Sequence, residues 1–146
     1  MTGLSGQSYI DFGTPDSNII GDGSNILWFP VTAGSSWWMN SVTGIIWGDR
    51  STQPGKISYS TLPALTDTGS SCLVGPSTYV APIVQEIMKK ITNYGVDAGW
   101  GSIFYCSTYK ALLPNFSIIM GGYVFELTPD DYVIVVGSDT CALCIQ

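Results

Sequence analysis

The stretch Leu65-Thr66-Asp67-Thr68-Gly69-Ser70-Ser71 decides how the rest of this sequence is interpreted. An apolar segment with strand character ends in a carboxylate, and a turn of Thr, Gly and Ser follows. The end of a strand holds a carboxylate rigidly, and a glycine lets other backbone approach it closely. Hydroxyl and amide groups of such a turn can hydrogen-bond the carboxylate and keep it oriented. We therefore predict that Asp67 is a functional carboxylate, with an ordinary Asx turn as the alternative.

The composition predicts a folded chain of the all-β class. The 146 residues are 45% hydrophobic and only 11% charged, which is the opposite of a disordered composition and suits a single domain. The 17 glycines and 8 prolines indicate many turns and few helices. Strand character is found at residues 9–13, 26–32, 37–47 (a long strand or a hairpin around Gly44), 57–66, 104–106, 115–120, 123–127 and 132–136, with a hairpin turn at Gly121-Gly122.

One main helix is predicted near residues 77–94. Gly75-Pro76 breaks the preceding segment, and Ser77 or Thr78 can cap the helix. Apolar residues then recur at helical spacing and form one face, which consists of Val80, Ile83, Val84, Ile87, Met88 and Ile91. Gly95 ends the segment, and residues 128–131 are predicted to form a turn or a short helical turn.

Charge and residue usage exclude several classes of function. Five Lys and Arg residues against eleven Asp and Glu give a net charge of −6, so no basic surface for nucleic acid or anionic membranes is expected. The absence of histidine removes Ser-His and Cys-His nucleophile systems and most zinc sites. No apolar stretch is long enough to span a membrane, and the first residues lack the features of a signal peptide. We predict carboxylate chemistry with no cofactor and no metal.

Four cysteines and one sequon suggest a secretory environment. Cys141 and Cys144 form a C-x-x-C pair, which by itself is typical of metal or redox chemistry, but no second pair completes a zinc set. We expect a structural disulfide between Cys106 and one of these two cysteines, which would indicate an oxidising compartment. Asn115-Phe116-Ser117 is a sequon for N-glycosylation.

The segment that begins at Asp67 resembles the surroundings of the second catalytic aspartate in pepsin-like aspartic proteases. There, Asp-Thr-Gly-Thr/Ser-Ser is followed by two apolar residues, a small residue, Gly-Pro and a helix, as in Asp67-Thr68-Gly69-Ser70-Ser71-Cys72-Leu73-Val74-Gly75-Pro76-Ser77. Other segments are similar to the family in the same order, namely Ser8-Tyr9-Ile10-Asp11-Phe12-Gly13, Leu27-Trp28-Phe29-Pro30-Val31, Trp37-Trp38, Leu113-Pro114, Gly121-Gly122, Leu127 and Tyr132. The resemblance implies that residues 1–146 form a C-terminal lobe, an antiparallel β-barrel or sandwich.

The resemblance also implies a role for each candidate site residue. Asp67 matches one member of a pair of aspartates that share a proton and activate water to hydrolyse a polypeptide substrate. Thr68, Gly69 and Ser70 would orient Asp67 and bind the substrate backbone. Trp37 and Leu65 match positions that line an apolar pocket beyond the scissile bond, with core packing as the alternative.

The resemblance bears on the cysteines as well. Cys106 and Cys141 match the disulfide of this lobe. Cys72 stands where the family has an apolar residue and is expected to be a buried, inert thiol. Cys144 stands at a position that is often small, and it could compete with Cys141 for Cys106.

Two parts of the family pattern are missing from the sequence. These are the N-terminal lobe with the other Asp-Thr-Gly, and the closing strands that would follow Gln146. We therefore expect a fragment or processed piece that needs a partner lobe, located outside the cell or in an acidic compartment similar to a lysosome or vacuole. One alternative is a retropepsin-like homodimer, in which Ile118-Ile119-Met120-Gly121 or Val133-Ile134-Val135-Val136-Gly137 replaces the missing strand. Another is a non-catalytic binding or structural module with the same fold.

Overall fold

Two antiparallel sheets of four strands each dominate the computed structural model, which describes residues 12–13, 26–47, 55–99 and 101–146. The first sheet has the order β2-β1-β5-β6, and its strands are β1 (Met39–Trp47), β2 (Gly55–Leu65), β5 (Phe116–Met120) and β6 (Tyr123–Leu127). The second sheet has the order β3-β4-β8-β7, and its strands are β3 (Gly95–Asp97), β4 (Gly101–Tyr105), β7 (Val133–Val135) and β8 (Thr140–Leu143). The predicted all-β class is confirmed.

In the part of the chain that the structure describes, three helices connect the strands, and only the first is longer than four residues. They are α1 (Ser77–Met88), α2 (Cys106–Tyr109), which continues into a 3-10 turn at Lys110–Leu112, and α3 (Pro129–Tyr132). No helix within the described ranges has the length and apolar character that crossing a membrane requires.

Strand β1 is one of the two central strands of the first sheet, because it pairs with strands on both sides. Its partners are β2, in a register that runs from Met39 opposite Leu65 to Trp47 opposite Gly55, and β5, with Trp47 opposite Phe116. The register shifts between Val42 and Gly44 in both ladders, which marks an irregularity of the bulge type. Segment 37–47 therefore holds a continuous strand with a bulge, not a hairpin around Gly44.

The predicted hairpin at Gly121-Gly122 joins β5 to β6. Both glycines adopt positive φ angles, 55° and 82°, which other residues rarely adopt. Glycine at both positions therefore permits a two-residue turn, and Met120 pairs with Tyr123 directly across it.

Helix α1 confirms the predicted main helix but is shorter than residues 77–94. The bonds from Lys90 N to Ile87 O and from Ile91 N to Met88 O span three residues, so the chain tightens after Met88. The predicted apolar face is retained: Ile83, Ile87 and Ile91 are buried, and Val80, Val84 and Met88 pack against the core.

The prediction that Ser77 or Thr78 caps the helix is wrong. The carbonyl of Pro76 accepts the first bonds, from Tyr79 N at 2.9 Å and Val80 N at 3.1 Å, and no side chain caps this end.

The hydrophobic core connects α1 to both sheets. Its buried members from other elements include Phe104 of β4, Phe116 of β5 and Leu143 of β8. Because one apolar cluster draws on every layer, the positions of the two sheets depend on each other.

Several strand predictions differ in detail from the structure. Residues 26–32 form no strand, and four of their large apolar side chains (Ile26, Leu27, Trp28 and Val31) are exposed, so this apolar run is not a core strand. Strands β3 and β8 were not predicted. The predicted strand at 9–13 lies outside the described residues except for 12–13, and the loop predicted between 48 and 54 lies outside them entirely.

Candidate active site

Asp67 lies two residues beyond the end of β2, and several hydrogen bonds fix the chain that leads to it. The amide of Thr66 donates to the carbonyl of Trp38 at 3.0 Å, which extends the β1–β2 ladder by one step. The Thr66 hydroxyl donates to Asn40 Oδ1 at 3.2 Å, and Asn40 Nδ2 donates in turn to Pro30 O at 3.2 Å. The residue immediately before Asp67 is therefore held to residues 38–40 by both its amide and its side chain.

The turn after Asp67 holds one oxygen of its carboxylate. Gly69 N donates to Asp67 Oδ1 at 2.9 Å, and Ser70 N donates to the Asp67 carbonyl at 3.3 Å. A Cβ atom on Gly69 would lie 3.2 Å from Asp67 Oδ1, so glycine allows this approach without crowding the carboxylate. Asp67, Thr68 and Gly69 are all exposed, which leaves the second carboxylate oxygen accessible to a reactant.

Ser70 supports the backbone of the turn. Its hydroxyl donates to the carbonyl of Cys72 at 3.2 Å, and the residue is half-buried. The structure thus places the Ser70 side chain on the chain downstream of the turn and only its amide on Asp67.

Trp37 and Leu65 lie at the same end of the first sheet as Asp67. Leu65 is the last residue of β2 and pairs with Met39, two residues after Trp37. Trp37 is 68% exposed and Leu65 is 48% exposed, and neither belongs to the buried core. Core packing therefore does not explain these two side chains, and neighbouring Trp38 is exposed as well.

All four cysteines are joined in disulfides. The bond Cys106–Cys141 is the one implied by the family resemblance. The second bond, Cys72–Cys144, corrects the expectation that Cys72 is an inert free thiol. It forms because Leu73 and Ile145 make a parallel bridge that brings the two Cα atoms to 4.6 Å. Its sequence signal was the unexplained second cysteine of the C-x-x-C pair.

Other features of the described residues are separate from this turn. A cleft of about 300 Å³ is lined by Asn93, Tyr94, Gly95, Ile103, Phe104, Tyr105 and Thr140 on the second sheet. Within the described ranges, His, Cys, Asp and Glu side chains form no group of three that could hold a metal ion.

Comparison with known proteins identifies relatives along most of the chain. A family model described as eukaryotic aspartyl protease matches residues 3–146. Gastricsin of Rattus norvegicus is 30% identical over 125 residues, and plasmepsin VI of Plasmodium berghei is 29% identical over 143 residues. The vacuolar aspartic protease of Candida albicans is 31% identical over 117 residues.

These alignments cover most of this chain but a small part of each relative. They cover 86%, 93% and 80% of the chain, and 29%, 29% and 25% of gastricsin, plasmepsin VI and the vacuolar protease. The chain thus spans less than a third of the length of the curated relatives that it matches.

Proposed function

Because this chain belongs to the eukaryotic aspartyl protease family, we propose that it is one lobe of an aspartic endopeptidase and that Asp67 is one of its two catalytic carboxylates. The observation that carries the proposal is the exposed Asp67 carboxylate, held through one oxygen by Gly69 N at 2.9 Å. Asp-Thr-Gly occurs once in the sequence, so the second carboxylate comes from a partner lobe.

The proposed chemistry follows from placing two carboxylates close together. Like charges a few ångströms apart disfavour double ionisation, so the pair shares one proton. The ionised member removes a proton from a water molecule as that water attacks the scissile carbonyl carbon. The protonated member donates a hydrogen bond to the carbonyl oxygen as negative charge develops there. The substrate is a polypeptide, and the reaction uses neither a metal nor a cofactor.

The neighbouring residues supply orientation and substrate contacts. Gly69 fixes the rotation of the Asp67 carboxylate, and the Ser70 bonds keep the turn closed around it. Thr68 is exposed beside Asp67, where its hydroxyl can meet the substrate backbone. Trp37 and Leu65 offer apolar surface at the same end of the sheet, which suits an apolar side chain of the substrate.

The test combines the chain with an N-terminal lobe from a family member and uses an unfolded protein as substrate at acidic and neutral pH. We expect cleavage in acid that a pepstatin-type inhibitor blocks, and none from the monomeric chain alone. Asp67→Asn is expected to reduce the rate by about 10²–10⁴-fold, because a neutral amide cannot act as a base.

A matched control is available in Asp97→Asn. Asp97 is also exposed and also accepts a bond from the amide two residues later, Gly99 N, at 2.8 Å. Equal loss of activity in both variants would mean that the Asp67 turn is only structural, and the proposal would fail.

The same assay decides between the proposal and its alternatives. Cleavage by the chain alone that disappears in Asp67→Asn would favour the homodimer, in which each copy supplies one Asp67. Binding of an unfolded polypeptide without cleavage, whatever lobe is added, would favour a non-catalytic module. The exposed Trp37 and Trp38 give such a module a possible binding surface.

We further propose that the protein acts outside the cell or in an acidic compartment of the secretory pathway. Both disulfides support this location, since disulfides persist in oxidising environments. Fusion of a reporter to the protein in its source cells, followed by fractionation, would test the location. Recovery in the cytosol with all four cysteines reduced would contradict it.

A further inference from the structure

The second disulfide lies immediately downstream of the proposed catalytic turn. Cys72 is five residues after Asp67, and its partner Cys144 is 1% exposed in the core. The carbonyl of Cys72 accepts the hydroxyl of Ser70, so the bonded cysteine is part of the closed turn.

Backbone hydrogen bonds on both sides of this disulfide join the same two segments. Leu73 N donates to Cys144 O at 2.9 Å, and Gln146 N donates to Leu73 O at 2.8 Å. Gly75 N donates to Gln146 O at 2.8 Å. Residues 72–75 are therefore held against residues 144–146 by one covalent bond and three hydrogen bonds.

The far side of this junction is anchored in the core. Cys144 N donates to the carbonyl of Tyr132, which is fully buried, at 2.8 Å. Cys141, which lies on β8 three residues before Cys144, is bonded to Cys106, the first residue of α2. The C-x-x-C pair thus forms one disulfide to the segment after Asp67 and one to the first residue of α2.

We propose that Cys72 and Cys144 are positioning residues, whose disulfide clamps the turn containing Asp67 onto the core and so fixes the direction of the Asp67 carboxylate. Its importance for catalysis rests on the proposed function, but the clamp itself is a property of the folded chain. Without the bond, residues 68–75 are held by the hydrogen bonds of a surface turn and by the packing of Leu73. Surface segments with so few core contacts open locally.

The first test is amide hydrogen exchange in the unmodified chain, followed by NMR. If the disulfide clamps the turn, the amides of Leu73, Gly75 and Gln146 should exchange as slowly as those of β8. Without the clamp, Gly75 and Gln146 should exchange faster, because they lie at the ends of the junction. Fast exchange at these amides with slow exchange in β8 would overturn the proposal without any variant.

The second test replaces the disulfide with apolar groups in the double variant Cys72→Val/Cys144→Ala. The matched control is Cys106→Ala/Cys141→Ala, which removes the other disulfide. The bonds join residues 72 and 35 positions apart, so loss of either should lower global stability by a similar amount. We expect the amides of Gly69, Leu73 and Gly75 to exchange at least about tenfold faster in the first variant than in the control. This factor corresponds to a modest part of the stabilisation free energy that cross-linking a long loop provides.

The carboxyl carbon resonance of Asp67 gives a readout that a purely structural bond would not move. We expect this resonance to shift or broaden in Cys72→Val/Cys144→Ala and to remain in place in the control. Equal effects in both variants, or unfolding of the first variant alone, would overturn the local clamp. Neither measurement uses activity. A negative result for the clamp therefore does not contradict the proposed function, and an absence of activity does not contradict the clamp.

A separate observation concerns Asn115, the first residue of the only Asn-x-Ser/Thr triplet in the sequence. Asn115 is exposed and donates through Nδ2 to Glu126 Oε1. Ser117, the hydroxyl residue of the triplet, is 1% exposed within β5. The acceptor nitrogen is thus accessible in the folded chain while the rest of the sequon is not.

Asn115 lies at the end of the first sheet that is farthest from Asp67. β1 runs from Met39 beside Leu65 to Trp47 beside Phe116, and eight steps of about 3.3 Å separate these ends by roughly 26 Å. A glycan here would leave the Asp67 turn uncovered. Two disulfides also indicate the compartment in which N-glycans are added.

We infer that Asn115 carries an N-linked glycan, which is added before β5 forms because folding buries Ser117. The chain, fused to a secretion signal and made in eukaryotic cells, should show a mass decrease after treatment with peptide-N-glycosidase. Asn115→Gln and Ser117→Ala should abolish this decrease, whereas Ser117→Thr and Asn93→Gln should retain it. The decrease is read on total cell protein, so it does not depend on folding, and an unmodified wild-type chain would overturn the inference.

Discussion

Tyr132 illustrates how one buried hydroxyl supports the fold. Its side chain has no exposed surface, its ring packs against Phe116 at 5.2 Å between centroids, and its hydroxyl donates to Pro114 O at 2.6 Å. Tyr132→Phe removes the donor and leaves a carbonyl without this bond, which should destabilise the chain by about 1–2 kcal/mol in urea unfolding. Tyr123→Phe is the control, since Tyr123 is 52% exposed, and it should change stability little.

Tyr132 also makes the free energy of unfolding depend on pH in the alkaline range. Burial raises the pKa of the Tyr132 hydroxyl well above its ordinary value. Stability from this residue is therefore complete below about pH 10 and is lost as the pH rises further, because the unfolded chain ionises first. Tyr132→Phe should lessen this alkaline decline by up to about 1.4 kcal/mol per pH unit. An identical decline in both proteins between pH 10 and 11 would contradict the assignment.

At the residue scale, the sequence predicted the turn that follows Asp67 better than the distant contacts that support it. Asp67 and Gly69 were predicted because carboxylate, turn and glycine are adjacent in the chain. The bonds that hold Thr66 come from Trp38 and Asn40, more than 25 residues away, and depend on the β1–β2 register. The disulfide of Cys72 could not be predicted, because its formation requires Leu73 and Ile145 to be neighbours, and no local sequence pattern indicates that.

At the element scale, the hairpin between β5 and β6 offers a matched pair of substitutions. Gly121 and Gly122 both have positive φ, so alanine at either should destabilise the chain by about 1–2 kcal/mol through backbone strain. A Cβ on Gly121 would also lie 2.6 Å from Phe29 Cε1, whereas a Cβ on Gly122 meets nothing within 4 Å. We expect Gly121→Ala to be clearly more destabilising in urea unfolding. Equal effects would mean that Phe29 does not rest on this turn.

The short helix α2 depends on a residue of the loop between β7 and β8. Asp139 accepts bonds from Ser107 N at 2.8 Å and Ser107 Oγ at 2.7 Å. These bonds hold the pKa of the Asp139 carboxyl below its usual range. Stability from Asp139 is therefore present above the ordinary aspartate pKa and is lost as the pH falls through the lower value of the folded chain.

Acid unfolding followed by circular dichroism checks this assignment. Asp139→Asn should unfold at higher pH than wild type, because the charged acceptor is gone throughout. Ser107→Ala should have an intermediate effect, since the amide donor remains. An unchanged acid transition in Asp139→Asn would show that the carboxylate does not hold α2.

The elements differ in how far sequence patterns could predict them. Helix α1 was predicted because six apolar residues at helical spacing give a strong signal. Strand β3 has only three residues, all exposed, and strand β8 contains four, three of them buried, so neither alternates between apolar and polar faces. Residues 26–32 are mostly apolar, yet all except Phe29 are exposed, and composition alone could not separate them from a core strand.

At the scale of the whole molecule, charge and exposed aromatic surface act together. The net charge is −6 at pH 7 and reaches zero near pH 4.1, so electrostatic repulsion between copies disappears in the acid range where activity is proposed. Trp37 and Trp38, 68% and 73% exposed, then become free to associate. We expect static light scattering of the isolated chain to peak near pH 4.

The position of the peak follows from charge and its height from apolar surface, so Trp37→Ser/Trp38→Ser should lower the peak without moving it. Trp28→Ser, at an 85% exposed position before β1, measures whether any exposed tryptophan has the same effect. If Trp28→Ser lowers the peak as much as the double variant does, association is not centred on the end of the sheet that holds Asp67. Trp37 and Trp38 would then no longer support a partner surface at that end.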